Sequence, residues 1–436
     1  MFKVAFHTLG CKLNYAETSS LSRQFVERGY ESVEMESSPD VFVLNTCTVT
    51  ENADREARQI IRRALRHSPN AMVVVTGCYA QLQPEAIAAI DGVDYVIGSS
   101  EKFRMFDFIP QTPVKNGCAG IACAAIEDAV AFGQAYSAES DSRTRAFLKV
   151  QDGCDYTCTF CTIPLARGAS RSQSITATVA QAETLAQNGY KEIILTGVNV
   201  GDYGKKDGAS LHALLQALES VAGIERIRIS SIEPNLFTDD VLDAAAQSAK
   251  ICPHFHIPLQ SGSDEILALM RRRYATALYA DRVARITARI PDAAIGVDVI
   301  TGFPGETDAH FRETYEFLCG LPIAYLHVFT YSERANTPAT GFAGFVLQQE
   351  RKRRNEMLRN LSEKKRRAFA ERFRGTIRPV LFECATHNGY SEGYTDNYIR
   401  VKTAYKPGLD NAIANVLLAE HSGDGFIGEV EQDNVK

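Results

Sequence analysis

Nine short apolar runs of strand character alternate with helix-patterned stretches from the start of the chain to about residue 345. This alternation constrains the fold more than any other feature. A strand followed by a helix rejoins its sheet in parallel, with helices on the sheet faces. The C-terminal ends of such strands then share one edge, where ligands bind. In the first set, FKVAF leads to Cys11, VFVLNT to Cys47 and AMVVVTG to Cys78. Cysteines far apart in sequence are thereby expected to converge. The alternative is three unrelated core thiols, because free cysteine is often buried.

The second set is AFLKV, EIILTG, RIRIS, HFHIP, IGVDVIT and YLHVFTY. Six strand–helix units predict a partial (β/α)6 barrel with its working residues at the C-terminal strand ends. Polar, turn-rich segments stand there: Thr196–Asn199, Ser230–Pro234, Pro258–Ser263 and Thr301–Glu306. They suit a cofactor cradle, although Gly, Pro and Ser make ordinary turns as well.

Beyond the barrel the pattern changes. From Arg351 to Arg378 there are 12 Lys and Arg against 3 Glu, in a chain whose net charge is −6. Short runs with Gly and Asn turns follow, predicting a small five-stranded β-barrel. A basic helix feeding such a barrel fits RNA, and Arg353, Arg354, Lys364 and Arg367 are its candidate contacts. A second basic arc, Arg55, Arg58, Arg62 and Arg66, lies opposite the apolar face of the helix after Cys47. Either feature is also compatible with a plain solvated face. The expected organisation is an N-terminal α/β domain at 1–110, a linker at 111–142, the partial barrel at 143–375 and the small barrel at 376–436. No run of about 18 apolar residues exists to span a membrane, and MFKVAFHTLG lacks a secretory apolar stretch. A cytoplasmic protein is expected.

The segment GCDYTCTFCTIPLARG places Cys154, Cys158 and Cys161 within eight residues. Structural zinc takes four protein ligands, and ferredoxin clusters take four thiolates. Three thiolates on a four-iron cube leave one iron open to another ligand. Cys118, Cys123, Cys252, Cys319 and Cys384 have no metal-ligand spacing and read as buried thiols.

Cys-x3-Cys-x2-Cys after the first barrel strand resembles the radical S-adenosylmethionine (SAM) superfamily. Together with Cys11, Cys47, Cys78 and the small terminal barrel, the layout resembles the methylthiotransferases along essentially the whole chain, and the barrel resembles their TRAM domain. TLGCKLNYAET and NTCTVTENADREARQIIRRA are most similar to the MtaB-type branch, which acts on N6-threonylcarbamoyladenosine beside the tRNA anticodon. The isopentenyladenosine branch usually has Gln-Met-Asn where this chain has Lys12-Leu13-Asn14.

The resemblance implies two 4Fe–4S clusters, one on Cys154, Cys158 and Cys161 with SAM on its open iron, and a sulfur-carrying one on Cys11, Cys47 and Cys78. It implies that Thr196 and Gly197 approach the SAM methionyl group, although the superfamily's Gly-Gly-Glu segment here lacks its Glu. Ser231, Glu233 and Gln260 are candidate ribose or methionine contacts. The implied reaction is methylthiolation of ring carbon 2 of N6-threonylcarbamoyladenosine at position 37, with two SAM molecules and a reductant such as flavodoxin or ferredoxin. The alternatives are the same chemistry on isopentenyladenosine tRNA or a ribosomal-protein aspartate, and a non-catalytic iron–sulfur protein that binds RNA or transfers electrons.

Overall fold

The computed structural model describes residues 1–48, 51–129, 131–137, 144–387 and 389–435. Its first unit is a six-stranded, wholly parallel sheet. The three cysteine-bearing strands, Lys3–Thr8, Val41–Thr46 and Met72–Gly77, are adjacent in it. Their near-continuous apolar sequences suit burial on both faces, and every residue of the second and third is buried.

Three further strands are too short to show in the sequence pattern: Glu31–Ser32, Tyr95–Ile97 and Gly120–Ala122. The last lies within the stretch read as a linker, and it forms the edge of the sheet by pairing with Tyr95–Ile97. Other parts of that stretch, residue 130 and residues 138–142, lie outside the described residues, as does residue 143, where the barrel was expected to begin.

The six predicted barrel strands form as Arg145–Lys149, Glu192–Thr196, Arg226–Ile229, His254–His256, Ala294–Thr301 and Tyr325–Thr330. They make two three-stranded parallel sheets. Parallel bridges Ile227–Ile251 and Ser231–His256 join the two, so the wall curves continuously. The helix Gln348–Glu371 then leads into a closed five-stranded barrel, Ile377 to Val435. Arg226 and Arg228 dock that barrel by donating to backbone carbonyls of Tyr394, Pro379, Asp396 and Thr395, at 2.7–3.1 Å.

A buried ionic network fastens the first unit to the second. Glu17, on the helix Lys12–Glu27, accepts from Lys102 at 2.5 Å, Lys149 at 2.9 Å and Arg167 at 3.0 Å. Asp152 takes Lys149 at 2.7 Å and Arg167 at 2.9 Å. Burial alone would raise the Glu17 carboxyl, but Arg167, Lys102 and Lys149 overturn that and hold it well below the usual carboxylate range.

Removing one partner of a buried ionic set strands the others, at a cost of about 3–5 kcal/mol. Glu17→Gln is therefore expected to lower stability by that order in denaturant unfolding. The folded-state pKa is depressed, so the Glu17 contribution is complete above the ordinary Glu value and fades as pH falls toward the folded value. The variant should accordingly show a flatter acid limb of stability than the parent chain.

Candidate functional site

Strand adjacency brings the first three cysteines to one edge. Cys11 caps the helix Lys12–Glu27, Cys47 follows Thr46, and Cys78 opens a short helix. Gly10 has φ +98°, and a Cβ there would lie 2.6 Å from Cys47 Cβ and 2.8 Å from its Sγ. Only glycine lets the two cysteine loops approach so closely. Asn14 stitches the loops by donating to Leu9 O at 2.7 Å and Thr46 O at 3.1 Å, and Asn45 donates to Asn14 O at 3.1 Å. Cys11 is open to the cavity, yet the surrounding protein desolvates its thiol and pushes it up, against the pull of Arg167. Arg167 is held in place by Glu17 and by Asn14 Oδ1 at 2.5 Å. Beyond Cys47, Arg334 locks the chain by donating to Thr48 Oγ1 at 2.5 Å and Asp54 Oδ2 at 2.7 Å.

The second triad lies on the loop after Asp152. Gly153 (φ +69°) is required there because a Cβ would sit 2.1 Å from Ala169 O. Cys154 N donates to Gly168 O at 3.0 Å, Cys161 N to Cys158 O at 3.1 Å, and Thr159 is tied to Met270 and Leu269. Arg272 donates to Cys158 Sγ at 3.1 Å and pairs with Glu233. Burial pushes the Cys154 and Cys161 thiols up to about 12. The donor sets fit iron, with three soft sulfurs at each site and a cation, Arg167 or Arg272, beside each.

A cavity of about 750 Å³ runs between the units. Cys11, Cys47 and Cys78 line it, as do Thr196, Gly197 and Ser231 at the strand ends and Tyr394 and Tyr398 of the terminal barrel. Thr196 Oγ1, Ser230 Oγ and Asn199 Nδ2 are buried without partners, which fits a polar cofactor at this edge. Glu233 and Gln260 are not on the cavity wall. Glu233 is engaged by Arg272, and Gln260 holds a left-handed turn (φ 70°) through its backbone bonds to Asp298 and Ile300.

The candidate RNA contacts divide. Arg55, Arg58, Arg62 and Arg66 are exposed on one face, with Ala57, Ile61 and Ala64 buried on the other. Lys364 and Arg367 are exposed, and Arg353 is exposed but paired with Glu350 at 2.6 Å. Arg354 is a correction: it is 3% exposed and bonded to Glu306 at 2.5 Å, Asp308 at 2.7 Å and Glu350 at 2.8 Å. It staples the helix to the barrel and offers nothing to a phosphate. The remaining cysteines also depart from expectation, since Cys118, Cys319 and Cys384 are exposed, Cys123 is half-buried and Cys252 alone is buried.

The sequence reading missed Asn14, Glu17, Lys149, Arg167 and Arg272. A polar side chain beside each cysteine, as in CKLNYAE and CTIPLAR, was the available signal.

In metal-free protein at pH 8, thiols with pKa values near 12 are ionised to the order of 10⁻⁴, and the thiolate is the reactive form. Iodoacetamide is expected to modify exposed Cys118 and Cys319 well before Cys154 and Cys161, as followed by peptide mass spectrometry. Equal rates would contradict the desolvation described here.

Two family models match the chain: "Uncharacterized protein family UPF0004" over residues 3–98 and "Radical SAM superfamily" over 148–318. In fold, the chain is similar to the radical SAM methyltransferase TsrM from Kitasatospora setae, with TM-score 0.56 and 16% identity over 76% of this chain and 73% of that one. In sequence, it is 42% identical to the threonylcarbamoyladenosine tRNA methylthiotransferase MtaB of Bacillus subtilis, covering 92% of this chain and 90% of that protein. Its identity to the Aquifex aeolicus protein of the same name is 40%, over 92% and 96% of the two chains. The chain therefore belongs to the MtaB-type radical SAM methylthiotransferases, enzymes that use SAM and a 4Fe–4S centre.

Proposed function

We propose that this enzyme replaces the hydrogen on ring carbon 2 of N6-threonylcarbamoyladenosine, at position 37 of the tRNA anticodon loop, by a methylthio group. The observation that carries the reading is a cavity lined by Cys11, Cys47 and Cys78 and by the barrel strand-end residues Thr196, Gly197 and Ser231, while Cys154, Cys158 and Cys161 lie outside its lining. Relatives at about 40% identity carry this substrate in their names. Membership of an enzyme family sets aside the non-catalytic alternative.

In this reading Cys154, Cys158 and Cys161 hold the SAM-binding cluster, and Cys11, Cys47 and Cys78 hold the sulfur-carrying one. Bound there, cofactor and clusters supply radical chemistry able to attack a C–H bond that is neither acidic nor polarised. The chain supplies placement. Arg272 offsets negative charge at Cys158, Thr196 Oγ1 offers an unused hydroxyl, and Tyr394 and Tyr398 of the C-terminal barrel form part of the cavity wall. The base is presented from a single-stranded loop. The helix Glu51–His67 and the exposed part of the helix Gln348–Glu371, with Lys364 and Arg367, offer cations to the phosphates. Among the described residues no helix is long and apolar enough to cross a membrane, which is compatible with cytoplasmic work on tRNA supplied with electrons by a flavodoxin or ferredoxin.

The test is nucleoside mass spectrometry of modified tRNA incubated with reconstituted enzyme, SAM and dithionite. Replacing Cys154, Cys158 and Cys161 by Ala is expected to remove one cluster and all 5′-deoxyadenosine formation. Replacing Cys11, Cys47 and Cys78 by Ala should remove the other cluster, retain 5′-deoxyadenosine formation and abolish the thiomethylated nucleoside. Undiminished iron in the second variant would return those residues to core thiols.

Phosphate contacts release counterions, so tRNA affinity should fall steeply with salt. Lys364→Glu with Arg367→Glu is expected to weaken tRNA binding about tenfold and to flatten the salt slope. Unchanged affinity would remove this helix as a docking face.

A further inference from the structure

The cavity contains cations that have no carboxylate of their own. Arg167 is engaged by Glu17 and Asp152, and Arg400 by Glu392. Lys12 and Arg366 line the same cavity, and among the described residues neither has an acidic partner. Arg366 comes from the basic helix and lies 5.5 Å above the Tyr325 ring. Lys12 comes from the opposite unit, next to Cys11. Both line the cavity wall that His327 also lines. The His327 imidazole is lowered first by burial, and His256, Arg366 and Lys12 lower it further against Asp298.

Two residues along the same strand, and so on the same face, Phe329 is 46% exposed to the cavity. An exposed aromatic face suits a stacked base. Two cations lining the same cavity suit an anionic group carried on that base.

His256, Asp298 and His327 place ligand atoms within 4.8 Å of one another, the arrangement of a divalent-cation site. The surroundings argue against a cation. Asp298 is already satisfied by His256 at 2.7 Å, and Lys12 and Arg366 add positive charge on the same side. Lys12 and Arg366 remain on this cavity wall as cations without a carboxylate partner among the described residues, whereas Asp298 is bonded to His256 and Asp424 lies near Arg400.

We propose that Lys12 and Arg366 form a subsite for the carboxylate of the threonyl group on the substrate base, with Phe329 stacking the adenine. This rests on the substrate assigned above. It makes the free acid, rather than the base or the carbamoyl linkage, the feature that admits the nucleoside. A backbone phosphate would offer the same negative charge, and the experiment separates the two.

Reconstituted holoenzyme is titrated with three anticodon stem-loops that differ only at the target base: the free acid, its methyl ester and unmodified adenosine. Losing a hydrogen bond to a charged group costs about 10- to 100-fold. The wild-type enzyme should bind the acid about 10- to 100-fold more tightly than the ester. Lys12→Met and Arg366→Gln should each erase most of that preference, and Arg366→Lys should restore part of it. Iron content should match wild type throughout, and Arg366→Gln, far from any cysteine in sequence, guards against a disturbed cluster in the Lys12 variant. Equal binding of acid and ester by the wild type would overturn the proposal. So would variants that weaken all three RNAs alike, since the cations would then serve phosphate. If the wild type prefers the acid but produces no thiomethylated nucleoside, the carboxylate subsite stands and the assigned reaction fails.

Discussion

The arrangement of the whole molecule depends on one carboxylate. Glu17 is fully buried and bonded to three cations that come from different parts of the chain: Lys102, Lys149 and Arg167. It lies one turn along the helix that Cys11 caps, while Lys149 ends the first barrel strand and Arg167 ends the short helix after the second cysteine triad. An uncompensated charge at this depth costs several kcal/mol, so neither unit can slide over the other without breaking the set. Arg167 extends the constraint to the chemistry, because its other nitrogen meets Asn14, which stitches the cysteine loops together. The relative position of the two cysteine triads is therefore fixed by ion pairing in a medium of low dielectric, where such pairs are stiff as well as strong.

The same logic explains how the backbone beside Cys47 and Cys78 can be buried. Three adjacent strand ends offer unpaired backbone groups, and Asn14, Asn45 and Thr46 satisfy them. Among the buried polar atoms left without a partner, Thr196 Oγ1 and Ser230 Oγ belong to residues that line the cavity, and Asn199 Nδ2 lies on the loop beside Thr196.

Much of this was legible in the sequence because local periodicity carries it. The strand runs ending at Thr8, Thr46 and Gly77 announce a parallel sheet, and a parallel sheet collects its strand ends on one edge. The six barrel runs appear in order for the same reason. Pattern fails where partners are distant. Glu17 and Arg167 are 150 residues apart, and nothing near either residue names the other. Arg354 was hidden by its neighbours: inside a run of basic residues, only the direction of the helix decides which side chain turns inward to Glu306 and which stays in water. A strand or hairpin in the linker could be suspected but not placed, because three residues are too few to show alternation, and pairing of Gly120–Ala122 with Tyr95–Ile97 supplies what periodicity does not.

The small terminal barrel is attached in a way that shapes its history. Arg226 and Arg228 grip carbonyl oxygens of Tyr394, Pro379, Asp396 and Thr395. Every residue has a carbonyl, so this grip reads the path of the chain and is indifferent to most of its side chains. Side chains add to the grip, with Glu383 paired to Arg145 and Arg378 to Asp292, so the outward residues that take no part in it can change one at a time while the barrel sits in the same place. Descendants of such a protein are free to reshape that outward surface while the wall that the barrel contributes to the cavity stays in place.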